Sequence, residues 1–236
     1  MIRLADYRPP AFLVDRVALT FDLDDHKTLV QTVLTLRRNP AHGDPKAPLS
    51  LDGEGVALKS IALDGAVLPE SRYSVDEAGL TVADVPDAFT LTTEVQIDPA
   101  GNTLLEGLYR SGSAFCTQCE AEGFRHITFF PDRPDVMTIF HVTVRADKAA
   151  CPVLLCNGNL IEAGELDDGH HFAVWEDPHP KPAYLFALVA GQLEGLQDSF
   201  RTASGRDVAL YIYTEPGQSA RAAYAMDSLI RSLKWD

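Results

Sequence analysis

Nowhere in this 236-residue sequence do about 18 apolar residues run together, so no membrane-spanning helix is expected. The N-terminus, MIRLADYRPPAFLVDR, has no apolar stretch ahead of Pro9-Pro10, so no secretory leader is expected and the cytoplasm is the expected compartment. Basic residues are scarce: 20 Lys and Arg stand against 34 Asp and Glu, a net charge of −14. Such a field repels phosphate backbones and no basic stripe offsets it locally, which excludes nucleic acid as a partner. It favours cations, the free α-amine of a peptide among them, although the same charge describes any acidic soluble protein.

Motifs that carry chemistry are also missing. Of the seven His, no two sit four apart on a helix with Glu between them, so the HExxH metal motif is absent. His170 and His171 are adjacent, and adjacent strand residues face opposite ways, which makes a poor chelate. No GxSxG turn presents a nucleophile, and Gly53 and Gly55 lead into no phosphate-binding helix. The four cysteines offer one tight pair, Cys116 and Cys119, and a looser one, Cys151 and Cys156. A zinc ribbon needs two tight pairs converging on one tetrahedral site, and a redox CxxC needs a helix N-terminus. Free thiols, mostly buried, fit the spacing better than a zinc-ribbon or redox protein. No metal site is expected within this chain.

What is present is strand pattern. With 46% hydrophobic residues the chain can bury a sizeable core, and its 15 Pro and 16 Gly are spread along it, as many short strands require. Val17, Leu19, Phe21 and Leu23 alternate with polar neighbours, and Val30, Leu34 and Leu36 continue after the turn at Asp24-Asp25-His26. Ile61 and Leu63 run into Asp64-Gly65 and then Val67, the signal of a type I′ hairpin. Phe89, Leu91, Thr93, Val95 and Ile97 alternate up to Asp98-Pro99. Further strands are predicted at 139–144, 153–156, 172–175 and 184–190. The fold class is therefore all-β, an antiparallel sandwich or saddle of several sheets.

The tail departs from this pattern. Val208, Leu210 and Ile212 predict one more strand, and Ser219 is placed to cap a helix over 220–235. Ala222, Met226, Leu229, Ile230 and Leu233 fall on one face of that helix. A strand plus one amphipathic helix after a β-rich block reads as a second domain cut short, with a boundary near Gly191–Gly195. The helix face must then pack back, pair with another copy or stay mobile.

One stretch concentrates unusual chemistry. Cys116 to Val136, CTQCEAEGFRHITFFPDRPDV, holds two Cys, two Glu, one His, two Arg, three Phe and two Pro, too irregular for one helix or plain strand. Flanking Phe115, Phe124, Ile127, Phe129 and Phe130 would pin its backbone to a core. Glu120 and Glu122 are either solvated surface or carboxylates held for a cation, and burial would strengthen such a bond. If the segment is extended, residues two apart share a side, and one amine could meet both.

This stretch resembles the acidic substrate-anchoring loop of the aminopeptidase N family, zinc exopeptidases of the gluzincin type. Five more blocks resemble that family in the same order: LEGLYRSG (105–112), NGN (157–159), KPAYLFALVAG (181–191), SGRDVALYIY (204–213) and SLKWD (232–236). The resemblance implies that residues 1–192 form the family's β-sheet N-terminal domain and that 193–236 open an incomplete thermolysin-like catalytic domain. It implies that Glu120, in the Gln118-Cys119-Glu120 element, binds the substrate's α-amine, and that Gln118 lines the pocket for the first side chain. Glu122, Arg125 and His126 match the family pattern with a structural role only. The family's Gly-x-Met-x-Asn loop, HExxH helix, downstream zinc-ligand Glu and transition-state Tyr are all absent. The implied parent is a zinc aminopeptidase acting on peptides with a free N-terminus, and its missing catalytic domain is the partner of this chain. The chain itself would supply substrate anchoring but no zinc chemistry, and alone it would be inactive. The alternative is a self-contained β-sandwich that binds peptides or sugars without catalysis.

Overall fold

A computed structural model describes residues 3–236. The largest element is an eight-stranded sheet. Its order across the sheet is Asn159–Glu165, His170–Lys181, Thr138–Asp147, Phe12–Asp22, Thr28–Arg38, Ala88–Ile97, Ala57–Leu63 and Ala66–Val67. Every pairing in it is antiparallel except one: Phe12–Asp22 runs parallel to Thr138–Asp147, with Arg16 opposite Ile139. Three smaller sheets complete the β architecture: Val153–Cys156/Leu188–Gly191/Ala114–Gln118/Gly107–Ser111, Leu49–Asp52/Gly79–Val82/Tyr73–Val75 and the two-stranded Glu194–Arg201/Asp207–Thr214.

The alternation in the sequence becomes burial. Val17, Leu19 and Phe21 point inward at odd positions, but Phe12 and Val14 of the same strand point inward at even ones. A register shift between Val14 and Arg16 reconciles the two, because one extra residue in a strand exchanges the faces on either side of it. Asp15 and Arg16, at the shift, are both exposed. The predicted type I′ hairpin forms with positive φ at both turn residues, 49° at Asp64 and 79° at Gly65. The turn after Phe12–Asp22 is held by Asp24 Oδ1, which accepts from the amides of His26 and Lys27 at 2.9 Å each. Those bonds hold the Asp24 carboxyl below the usual range.

All but the two-stranded sheet share one apolar core. Its centre is aromatic: Phe124 meets Phe130, Phe186 and Phe140 edge-on at centroid distances of 5.1, 5.2 and 6.0 Å. Phe124 comes from a short 3-10 helix, Gly123–His126, so the irregular stretch is nailed to the core by its own side chain.

Two expected elements differ. The strand predicted at 184–190 begins only at Leu188, because Pro182 starts a 3-10 turn, Ala183–Leu185, that swings Phe186 into the core. The predicted cap at Ser219 does not form. Its hydroxyl donates instead to Glu194 Oε1 at 2.8 Å, and residues Ser219–Ala222 are 3-10 before the α-helix Ala223–Trp235 begins. That helix lies on the hairpin Glu194–Arg201/Asp207–Thr214, where Leu210, Ala222 and Met226 are the buried apolar residues. Tyr211, Tyr213, Tyr224, Leu233 and Trp235 of the same unit remain exposed, Trp235 to 89%.

Candidate functional site

The strand Ala114–Gln118 is paired on both sides, to Gly107–Ser111 and to Leu188–Gly191. It therefore delivers Gln118, Cys119 and Glu120 from a fixed edge of the core. Beyond it the chain turns sharply, and the Gly123 amide donates to the Cys119 carbonyl at 2.9 Å. The Glu120–Ala121 peptide bond is cis. Two glycines make the turn possible by close approach. A Cβ on Gly123 would lie 2.4 Å from the Gln118 carbonyl oxygen, and one on Gly107, where φ is +71°, would lie 2.7 Å from His126 Cβ.

Gln118 and Glu120 are exposed while Cys119 between them is buried. Gln118 Nε2 donates to the Glu120 main-chain carbonyl oxygen at 3.2 Å, which ties the Gln118 side chain to the backbone of the turn. The segment is not extended, and the two glutamates part company. Glu122 Oε2 lies 3.3 Å from Arg125 Nη2. Among the described residues the Glu120 carboxylate has neither an ion-pair nor a hydrogen-bond partner.

Arg125 is a hub that sequence reasoning gave only an unspecified structural role. Its amide and Nε both donate to Asp132 Oδ2, at 3.1 and 3.3 Å, and Nη2 donates to the Asp132 carbonyl at 3.3 Å. Nη1 stands 3.5 Å from Glu54 Oε1. Asp132 is buried, and burial raises its carboxyl above the ordinary value although the bonds from Arg125 pull the other way. A second tie comes from the strand Leu49–Asp52: Asp52 Oδ2 accepts from the Asp132 amide at 2.9 Å, and Asp52 and Phe130 exchange backbone bonds. His126 Nδ1 donates to the Glu54 carbonyl at 3.1 Å, and its Nε2 faces Glu106 at 3.3 Å. Asp52 and Glu54 are remote in sequence from Arg125, so no local pattern announced this network.

The cysteines are all free. Burial pushes the thiols of Cys116, Cys119 and Cys151 up, and that of Cys156 up to about 12. Among the described residues, no three His, Cys, Asp or Glu are grouped to hold a metal ion. No helix there is long and apolar enough to cross a membrane.

Residues 18–185 match the family model of the Peptidase M1 N-terminal domain. Over 235 residues the chain is 55% identical to the aminopeptidase N of Caulobacter vibrioides, covering 100% of this chain and 27% of that protein. Its fold superimposes with a TM-score of 0.95 on a Legionella pneumophila aminopeptidase A solved in complex with aspartic acid, at 33% identity over 100% of this chain and 28% of that one. An M1 zinc metallopeptidase from Deinococcus radiodurans shares the fold at a TM-score of 0.72, with 16% identity over 90% of this chain and 52% of that one. The chain spans about a quarter of the length of the curated relatives it matches. The β-sheet architecture, the in-order sequence blocks and the match across residues 18–185 lead to one assignment: this chain belongs to the Peptidase M1 N-terminal domain family, of the aminopeptidase N type.

Proposed function

We propose that this chain is the substrate-anchoring part of a zinc aminopeptidase that removes N-terminal residues from peptides. Residues 1–192 would be its β-sheet domain, and 193–236 the first segment of its catalytic domain. Glu120 binds the α-ammonium of the substrate, and Gln118 lines the pocket for the first side chain. The observation that carries this reading is the unpaired state of Glu120. Its neighbours Glu54, Glu122 and Asp132 are drawn to Arg125, while the Glu120 carboxylate stays exposed on a backbone fixed by the core. A fixed negative charge at a set distance from the reacting bond measures off one residue and rejects acylated termini, which lack the positive charge.

The chemistry itself lies outside these residues. No zinc ligand set exists among residues 3–236, so the chain alone should not hydrolyse peptides. The hairpin–helix unit buries little of its own: Tyr211 and Tyr213 of the strand and Leu233 and Trp235 of the helix all stay exposed, which supports reading it as part of a larger domain.

In the full-length protein, Glu120→Gln should lower kcat/KM for free-amine substrates by the equivalent of about 2–5 kcal/mol, the cost of breaking a desolvated charge pair. Amide hydrolysis with aminoacyl chromogenic substrates measures it, and an unchanged kcat/KM would sink the assignment.

A further inference from the structure

Two sequence blocks, NGN (157–159) and the Lys181-Pro182 start of KPAYLFALVAG, are left unused by the amine reading, and the fold brings them to one corner. There the strand His170–Lys181 bulges. Asp177 stands opposite Phe140 and Lys181 opposite Thr138, so Pro178, His179 and Pro180 face the single residue Ile139. We propose that this three-residue bulge is a docking knob, and that its seat is an apolar hollow on the part of the polypeptide that carries the zinc chemistry. The inference rests on reading the chain as one part of a longer enzyme.

The bulge is built to keep its shape. Neither proline has an N–H to give to a neighbouring strand, and the His179 amide donates back to Asp177 Oδ1 at 3.4 Å. An ion pair between Asp177 and Lys181, with side chains 13% and 15% exposed, closes its base. Its flank is locked as well. Asn157 Nδ2 donates to the Leu185 carbonyl at 3.2 Å, and its Oδ1 accepts from the Ala187 amide at 2.6 Å. Gly158 lies so close that a Cβ on it would be 2.3 Å from the Glu176 carbonyl oxygen. A rigid element of this kind loses little freedom on binding. Its surface suits a protein neighbour. Pro178, His179 and Pro180 are exposed, and so are Met137, Leu160 and Leu185 of the same corner. In a chain of net charge −14, every charge from Glu176 to Lys181 is matched: Asp177 by Lys181, and Glu176 by Arg16 at 3.0 Å. Interface cores are depleted of free charge in the same way. An exposed bulge is no cleft for a small molecule, and two copies of it meeting across a two-fold axis would bury little. It needs a hollow of complementary shape. The chain covers about a quarter of its curated relatives, and the strand Leu188–Gly191 leaving this corner runs straight into the hairpin–helix unit. The rest of the same polypeptide is therefore the neighbour within reach.

The test labels the histidines of the full-length protein with diethyl pyrocarbonate and follows His179 by peptide mass spectrometry. Docking predicts that His179 reacts at least about tenfold more slowly in the native protein than in the same protein unfolded in urea, because a seated side chain is shut off from solvent. Weaker protection than that overturns the proposal. Two variants test the chemistry of the seat. His179→Asp puts an unmatched carboxylate into an apolar hollow and should lower the Tm of the full-length protein by several degrees, whereas His179→Phe keeps an aromatic knob and should not. A Tm of His179→Asp equal to wild type, or an equal loss in both variants, overturns the proposal, since a free surface bulge tolerates either change. Hydrolysis of aminoacyl chromogenic amides by the full-length wild type is read alongside. Freely labelled His179 in an active, zinc-dependent aminopeptidase defeats this inference alone. Shielded His179 in an inactive protein leaves docking to the rest of the chain in place and defeats the aminopeptidase reading.

Discussion

Replacing Gly123 by alanine should destabilise the chain by about 1–2 kcal/mol and unseat the turn after Gln118. The new methyl carbon would lie 2.4 Å from the Gln118 carbonyl oxygen and 3.2 Å from the Gly107 amide nitrogen. Side-chain carbons essentially never come closer than 3.0 Å, so the backbone carrying Gln118 must retreat by at least about 0.6 Å. Both obstacles are main-chain atoms of the paired strands Gly107–Ser111 and Ala114–Gln118, which have nowhere to swing. Overpacking of this kind costs about 1–3 kcal/mol, and the stiffer unfolded chain of the alanine variant returns about 0.4–1 kcal/mol. Urea unfolding of this chain, followed by far-UV circular dichroism, should show the midpoint falling by roughly 0.5–1 M, given a slope of about 2 kcal/mol per molar. Gly195→Ala is the matched control. Its methyl would meet only the exposed Tyr213 ring, at 3.3 Å, a side chain that can give way. If Gly123→Ala unfolds at the wild-type midpoint, or if Gly195→Ala loses as much, rigid backbone contact is not what fixes the turn.

Two further outcomes follow from the site and its surroundings. Native protein at pH 8 should react with Ellman's reagent slowly and at no more than the half-buried Cys116 and Cys156, since burial raises all four thiols, while unfolded protein should show four; rapid labelling of Cys119 would mean that the loop opens. Asp135 supplies a pH dependence. Arg133 donates to both its oxygens, at 2.8 and 2.7 Å, and holds its carboxyl below the usual 3.8. A carboxyl whose native pKa is lowered stabilises the fold above its unfolded pKa, and that contribution vanishes as pH falls through the native value. Arg133→Gln should thus be less stable than wild type at pH 7, and the gap should close as pH falls below the ordinary carboxylate range. A constant gap from pH 7 to pH 2 in thermal unfolding would contradict this.

Much of the fold was legible because strand faces are written in period two. Phe89 to Ile97 and the Asp64-Gly65 hairpin could be read directly, since their burial and φ angles are local consequences of residue type. The bulge near Asp15 was not, because its effect is a change of phase that either half of the strand conceals. The segment 184–190 misled for a related reason: its apolar residues serve a turn and a strand in succession, and Pro182 decides where one yields to the other. Gln118 and Glu120 could be named from the sequence by resemblance alone. The Arg125 network could not, because Asp52 and Glu54 arrive from a strand far away in the chain, and only the tertiary fold sets them beside Asp132. The idea of a shared amine between Glu120 and Glu122 fell to the same cause: the turn sends Glu122 to Arg125.

The lone parallel pairing, Phe12–Asp22 beside Thr138–Asp147, has a temporal consequence. Everything between those strands, the turn after Gln118 included, belongs to a single large loop that this contact closes. Closing so long a loop is entropically slow, and the partner strand is late in the chain. As synthesis proceeds from the N-terminus, Phe12–Asp22 can pair with Thr28–Arg38 at once, but its other edge stays bare until Thr138–Asp147 is made. Phe140, against which Phe124 packs, comes from that same late strand. Glu120 therefore gains its final setting only when the sheet is knitted shut behind it, and the turn after Gln118 matures later than the strands that precede it in the chain.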